Sequence, residues 1–87
     1  MTITLHLKYF ASLREKLASS DETLHLPEHI KSAEQVRHYL MQRDAVWADA
    51  LGNTKNLRMA YNQKMLTTDI QLENGGELAF FPPVTGG

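Results

Sequence analysis

The sequence predicts an α+β roll, in which one main helix covers one face of a single β-sheet. Segments with the two-residue period of strands lie at both ends of the chain, and a segment with helical spacing lies between them. The 87 residues, 43% of them hydrophobic, suffice for one domain with a single modest core. This order holds too many strands for a helix bundle, and one amphipathic helix is suited to cover a sheet face.

The first part of the chain predicts a strand, a short helix and a second strand. Residues 2–9 alternate apolar and polar side chains, with the apolar set on one face. Ser12 followed by Glu15 has the form of a capping box, which predicts a helix over about 11–18. Residues 23–26 alternate again before a proline, and we expect this strand to pair antiparallel with the first.

The middle of the chain predicts the main helix and one further short helix. Ser32 with Gln35 is a second candidate capping box, and apolar residues then recur at helical spacing to about residue 42. Asp44 can cap the further helix, and Gly52 can end it.

The last part of the chain predicts three strands. Residues 57–61 alternate, the Asn-Gln pair at 62–63 turns the chain, and 64–66 can return as the next strand. The Asn-Gly-Gly sequence at 74–76 supplies the positive φ angles of a tight turn, and 77–81 is the last strand.

The chain divides into a domain at 1–81 and an extended tail at 82–87 that ends in two glycines. The two prolines that open the tail fix φ and lack amide donors, so the last strand cannot continue through them. The residues after them carry no charge, and glycines without Cβ atoms could thread a channel too narrow for other residues. The residues predicted to thread such a channel are Pro82, Pro83, Val84, Thr85 and Gly86, and the reactive end is Gly87.

The terminal carboxylate of Gly87 is the candidate reactive group. With an ordinary α-carboxyl pKa of about 3.5, it is ionised at neutral pH and is a poor electrophile. It would therefore need activation, for example as an acyl-adenylate, before anything could be attached to it. The alternative is an inert, frayed terminus, or two glycines added by cloning.

Composition and charge exclude several classes of function. Nine Lys and Arg residues against ten Asp and Glu residues give a formal net charge of −1, so a nucleic-acid or membrane-surface role has no electrostatic basis. The sequence has no apolar run long enough to span a bilayer and no charged-then-apolar leader, which predicts a cytoplasmic protein. The absence of cysteine removes disulfides, thiolate metal sites and cysteine nucleophiles.

The histidines and serines predict neither a metal site nor a catalytic centre. The four histidines are scattered along the sequence, and none has an acidic partner at ligand spacing, so we expect surface histidines and no metal site. No serine lies in a nucleophile motif. We therefore expect a protein that is not an enzyme on its own and that binds no cofactor. The histidines are His6, His25, His29 and His38.

The whole chain, and most specifically its C-terminal 80–87, resembles the small, sulfur-carrying subunits of molybdopterin synthase, which are ubiquitin-like β-grasp proteins. Residues 9–15 are similar to the end of the first strand and the first helix of that family. Trp47 falls where the family has a tryptophan, and 62–63 matches its turn. One departure is Gly76, where the family commonly has an aspartate.

The resemblance implies a mixed sheet, in which the first and last strands lie side by side at the centre. It also implies a carrier cycle, in which an adenylating enzyme related to ubiquitin activators uses ATP to join the Gly87 carboxylate to AMP. A sulfur donor then converts the adenylate to a thiocarboxylate. The tail would enter the large catalytic subunit of molybdopterin synthase, in a heterotetramer with two copies of each subunit. Two deliveries would build the dithiolene of molybdopterin from cyclic pyranopterin monophosphate.

The last strand predicts part of a contact surface for these partners. If Leu78 and Phe80 point inward, Phe81 points outward as an exposed aromatic beside the tail. The resemblance places Phe10 and Met65 on the same apolar surface, with Arg14 as a polar neighbour. The alternative is that Phe10 and Phe81 are ordinary core residues, since bulges and twist often break alternation near strand ends.

Two other functions are compatible with the sequence. A carrier with the same tail chemistry could serve thiazole synthesis or act as a ubiquitin-related modifier of lysines. In the second alternative the chain is a non-catalytic β-grasp binding module, and its terminal glycines are inert.

Overall fold

The computed structural model describes residues 2–83 and confirms the α+β prediction. A five-stranded sheet is joined by three α-helices and a turn of 3₁₀ helix at Thr54–Asn56. The elements are β1 (Thr4–Tyr9), α1 (Ala11–Leu17), β2 (Asp21–His25), α2 (Ala33–Met41), α3 (Ala45–Gly52), β3 (Arg58–Tyr61), β4 (Lys64–Met65) and β5 (Glu77–Phe81).

The sheet is mixed, with the first and last strands adjacent, as the resemblance implied. The strand order is β2-β1-β5-β3-β4. β1 and β5 pair in parallel, with Tyr9 level with Phe80, and the other pairings are antiparallel. Because parallel neighbours need a long crossover, the helices lie in the connection between them.

The core lies between one face of the sheet and the helices. Alternate residues of β1 and β5 point to this face, and they are fully buried together with the apolar stripe of α2. The inward alternation predicted for both strands is therefore confirmed. The fully buried side chains of these three elements include Leu5, Leu7, Tyr9, Leu78, Phe80, Val36 and Leu40.

Two of the three predicted helix caps are present. Ser32 Oγ accepts from the backbone N–H of Gln35 at 3.2 Å, and Gln35 Oε1 accepts from the backbone N–H of Ser32 at 3.0 Å, which is the predicted capping box. Asp44 Oδ1 accepts from the backbone N–H of Trp47 at 3.0 Å and caps α3.

The predicted capping box of Ser12 with Glu15 is wrong. The helix begins one residue after Phe10, which occupies the cap position without a side-chain hydrogen bond, so Ser12 lies inside α1. The backbone N–H of Phe10 donates to the carbonyl of Phe80 at 3.1 Å. This bond to the last strand extends the sheet to Phe10 and fixes where the helix starts.

The boundaries of β2 and of the loop before β3 also differ from the prediction. β2 begins earlier, at Asp21, and ends at His25, although Leu26 is buried and its N–H still donates to the carbonyl of Ile3 at 2.8 Å. The 3₁₀ turn replaces part of a predicted loop.

The two predicted tight turns form for different reasons. Asn62 and Gln63 have φ of 49° and 70°, as in the two-residue turns that suit hairpins. At the second turn only Gly75 has a positive φ, of 87°, so the expectation of several such angles is corrected. Gly76 is buried instead, and a Cβ there would overlap the ring of Tyr61. The Tyr61 hydroxyl accepts from the backbone N–H of Glu73 at 2.8 Å, so this ring cannot easily move away.

A polar and aromatic cluster ties β1 and β2 to the junction of α2 and α3. The Tyr9 hydroxyl donates to Glu22 Oε2 at 3.0 Å, and Arg43 donates to both Glu22 oxygens at 2.9 and 2.6 Å. The Arg43 guanidinium lies 4.4 Å from the centre of the Trp47 ring, whose edge meets Tyr9. The hydrogen bond from Arg43 holds the pKa of Glu22 below its usual value, and burial raises the pKa of Tyr9.

Replacement of Glu22 by Gln should reduce stability by on the order of 1 kcal/mol at pH 7, because the bidentate pair with Arg43 is lost. The folded-state pKa of Glu22 is lowered, so its contribution is present above the ordinary carboxyl range and is lost as the pH falls through that lowered value. Urea unfolding of the two proteins at pH 7 and pH 3 measures this. The difference between them should shrink at pH 3.

Asp49→Asn is the matched control for Glu22→Gln. Asp49 pairs with Lys16 on the surface, where ion pairs contribute little. The pair of Glu22 with Arg43 would not be stabilising if Glu22→Gln lowered the free energy of unfolding no more than Asp49→Asn does. A loss of stability that is the same at pH 3 as at pH 7 would also contradict it.

Candidate functional site

The strand that leads into the tail is held at the centre of the sheet. Phe80 is fully buried, its ring stacks on Tyr9 with centroids 5.9 Å apart, and its carbonyl accepts from the Phe10 N–H. β5 ends one residue later, at Phe81, followed by the partly buried Pro82 and Pro83. The tail therefore starts from a fixed point. The predicted tail residues Val84, Thr85, Gly86 and Gly87 lie outside the described residues.

The end of β5 uses its two faces differently. Leu78 and Phe80 are fully buried toward the helices, as predicted. Phe81 lies on the opposite face, which we call the outer face, and is half-buried there. Ala79 shares the outer face but is only 7% exposed, because its neighbours in the sheet cover this small side chain.

Phe10 and Met65 extend the apolar surface beside Phe81. Phe10 is extended, with φ −122° and ψ 156°, so its side chain points away from the buried Tyr9, and it is 44% exposed. Met65 of β4 is 57% exposed and is level with Ala60 of β3, which is in turn level with Ala79 of β5. We call Phe10, Ala60, Met65, Ala79 and Phe81 the apolar patch.

The structure brings the four predicted interface residues to one end of the sheet. Phe10, Met65 and Phe81 belong to the apolar patch, and Arg14 is exposed one helical turn after Phe10 in α1. The sequence prediction missed Ala60 and Ala79, because single alanines in strands give no signal of a surface role.

The other end of the outer face is polar. Thr4 Oγ1 lies 2.9 Å from His25 Nδ1, and Thr23 Oγ1 lies 3.3 Å from His6 Nδ1. Across residues 2–83, no three or more His, Cys, Asp or Glu side chains are grouped to hold a metal ion. In the same part of the chain, no helix has the length and apolar character needed to cross a membrane.

A protein-family model matches nearly the whole chain. Residues 7–87 match the model described as the ThiS family. The chain belongs to the ThiS family. The match reaches the last residue of the sequence, so it includes the tail as well as the domain.

Two relatives in this family are similar over most of their length. The molybdopterin synthase sulfur carrier subunit of Haemophilus influenzae is 40% identical over 83 residues, which cover 95% of this chain and 99% of that protein. The protein of the same name from Escherichia coli K12 is 39% identical over 79 residues, which cover 91% of this chain and 94% of that one. The resemblance stated from the sequence is thereby confirmed.

Solved structures confirm the ubiquitin-like fold. The small archaeal modifier protein 1 of Methanosarcina acetivorans matches with a TM-score of 0.75 at 20% identity, covering 100% of this chain and 99% of that one. A complex of subunits 1 and 2 of the molybdopterin-converting factor of Helicobacter pylori contains a chain that matches with a TM-score of 0.65 at 20% identity. That match covers 98% of this chain and 100% of the other.

Phe80 and Phe10 are joined by a backbone hydrogen bond, and alanine substitution of each should distinguish a core residue from a residue of the apolar patch. Phe80→Ala should cost about 3–5 kcal/mol of stability, because it leaves a cavity in the core. Phe10→Ala should change stability by no more than about 0.5 kcal/mol, because its side chain already faces solvent. Chemical denaturation of both variants measures the difference, and equal losses would place Phe10 in the core.

Proposed function

We propose that this protein is the sulfur-carrier subunit of a molybdopterin synthase and that it carries sulfur as a thiocarboxylate on Gly87. The observation that carries this proposal is the similarity to two molybdopterin synthase sulfur carrier subunits, at 40% and 39% identity over nearly their whole length. Both relatives bear the molybdopterin name, which favours this pathway over the thiazole alternative. The likeness to an archaeal modifier, at 20% identity, concerns the fold only.

The architecture of β5 suits a carrier. Tyr9 and Phe80 fix the strand in the core, so the tail has a constant origin. The two prolines after Phe81 stiffen the exit, and the two terminal glycines present no side chains to a narrow channel. A carrier of this kind needs no nucleophile of its own, because the sulfur is bonded to its terminal acyl carbon.

The proposed loading reaction proceeds in two steps on a partner enzyme. A Gly87 carboxylate oxygen attacks the α-phosphorus of ATP, which gives the acyl-adenylate and releases pyrophosphate. Hydrosulfide supplied by a sulfur donor then attacks the acyl carbon, the bond from that carbon to the AMP oxygen breaks, and AMP and a proton leave a thiocarboxylate. Activation is required because the free carboxylate is ionised and unreactive. Once the sulfur is bonded to the pterin precursor, water attacks the acyl carbon, the acyl carbon–sulfur bond breaks, and the carboxylate is regenerated.

The proposed docking surface for the large catalytic subunit is the apolar patch. It lies at the edge of the sheet from which the tail departs, so a partner covering it would also receive the tail. Exposed aromatic side chains such as Phe10 are frequent anchors at interfaces. We propose a heterotetramer of two carriers and two large subunits. In the Helicobacter pylori structure, a chain of this fold is found with the second subunit of the molybdopterin-converting factor. A cytoplasmic location, and an adenylating enzyme as second partner, stay predictions.

Phe81→Ala should weaken binding to the large subunit by about 2 kcal/mol or more while the domain stays folded, because it removes an aromatic anchor next to the tail. Titration calorimetry with the purified large subunit measures the loss. Val46→Ala is the matched control, since Val46 is 47% exposed on α3 and outside the patch. Unchanged binding together with a sharp fall in thermal stability would assign Phe81 to the core instead.

Deletion of Gly87 should abolish sulfur delivery without affecting folding. The full-length protein, incubated with its adenylating enzyme, ATP and a sulfide source, should gain the mass that replaces one oxygen by sulfur at its terminus. The shortened chain would stop short of the reactive centre, and one added residue would place a bulkier group in a channel matched to glycine. Mass spectrometry and synthase assays check both variants, and the inert-terminus alternative requires full activity from the Gly87 deletion.

A further inference from the structure

An open groove of about 560 Å³ borders the apolar patch on the side of β4. It is lined by β3, β4, the connection after them and the start of α2. Met65 belongs both to the patch and to this groove, so the two surfaces are continuous. The groove residues used below are Arg58, Met65, Glu34 and Asp69.

Arg58 is a cation at the junction of groove and patch. It is level with Phe81 across the β3–β5 pairing, it is exposed, and its Nη1 donates to the carbonyl of Leu57 at 2.9 Å. Within the described range 2–83, no carboxylate forms an ion pair with it. Four other cations of that range are paired with acids, and Arg58 differs from the remaining ones in lining the groove beside the patch. These paired cations are Lys8, Lys16, Arg37 and Arg43.

The acidic side chains of the groove are already engaged elsewhere. Asp69 Oδ1 accepts from the backbone N–H groups of Glu34 at 2.9 Å and Ile70 at 3.0 Å. The Glu34 carboxylate accepts from Arg37 through two bonds of 3.0 Å. The groove therefore offers Arg58 no internal carboxylate, although a guanidinium has donors suited to bind one through two parallel bonds.

Docking on the patch would change the surroundings of Arg58. Because Arg58 lies directly across from Phe81, a partner that covers Phe81 also removes water from Arg58. Burial of an unpaired charge is costly, and it becomes favourable only when the partner supplies an acceptor.

We propose that the groove receives a carboxylate-bearing segment of the large subunit, with Arg58 as its main contact. This inference rests on the proposed function, since it concerns the partner that covers the apolar patch. The binding surface of the large subunit should combine an apolar centre, facing Phe10 and Phe81, with acidic residues facing β3 and β4. Arg58 would act in recognition and not in sulfur chemistry.

Charge reversal at Arg58 tests this proposal in the full-length chain. Arg58→Glu should weaken binding to the purified large subunit about tenfold or more at 0.1 M salt, because it places a carboxylate against the partner's acids. The deficit should shrink at 1 M salt, where charges are screened over ~3 Å. Arg58→Lys should retain part of the affinity, since it keeps the charge but loses the two parallel bonds.

Lys31→Glu is the matched control, because it makes the same change of charge at an exposed position outside the groove and the patch. Surface plasmon resonance on the four proteins gives the affinities and rates. At saturating large subunit, Arg58→Glu should transfer sulfur at the wild-type rate, which separates docking from chemistry. Equal binding by Arg58→Glu and Lys31→Glu, with a normal wild-type complex, would overturn this inference alone. Absence of any complex with the wild-type chain would overturn the proposed function itself.

Discussion

The parallel pairing of β1 with β5 is the constraint on which the rest of the structure depends. Parallel neighbours cannot be joined by a tight turn, so the connection between them must carry the helices and the other strands. Their carboxyl ends also emerge at the same edge of the sheet. Phe10, which follows β1, is therefore brought level with the end of β5, and its N–H closes the last bond to Phe80. The position of the apolar patch and the origin of the tail are consequences of one pairing.

Features set by neighbours in sequence could be predicted from sequence, and features set by distant residues could not. The capping box of Ser32 and the N-cap of Asp44 depend on residues three positions away, and both are present. The Ser12 box has equally good local form, but the hydrogen bond of Phe10 to the last strand decides where that helix begins. Gly76 was expected to serve a positive φ, whereas its role is set by Tyr61, fifteen residues earlier.

The candidate site shows the same division. Alternation along β5 is local, and it correctly placed Phe80 in the core and Phe81 on the opposite face. The role proposed for Arg58 depends on its register with Phe81, which no spacing in the sequence reveals. Arg37 is a buried residue that the sequence did not reveal, because charged side chains usually lie at the surface. It is only 6% exposed, because Glu34 and the carbonyl of Leu51 satisfy its guanidinium at the junction of α2 and α3.

The opposite faces of β5 would allow folding and the proposed docking to use the same strand without competing for it. Phe80 contributes its area to the core, where it is stacked on Tyr9, so its environment is complete before any partner arrives. Phe81 keeps part of its surface in water, so its burial in the proposed complex would add to binding without removing anything from the core. The proposed carrier cycle requires loading by one enzyme and unloading by another, and each encounter has to leave the domain intact. A strand with its inner face satisfied and its outer face still partly exposed meets both requirements, because release of a partner exposes only the patch and leaves the origin of the tail fixed.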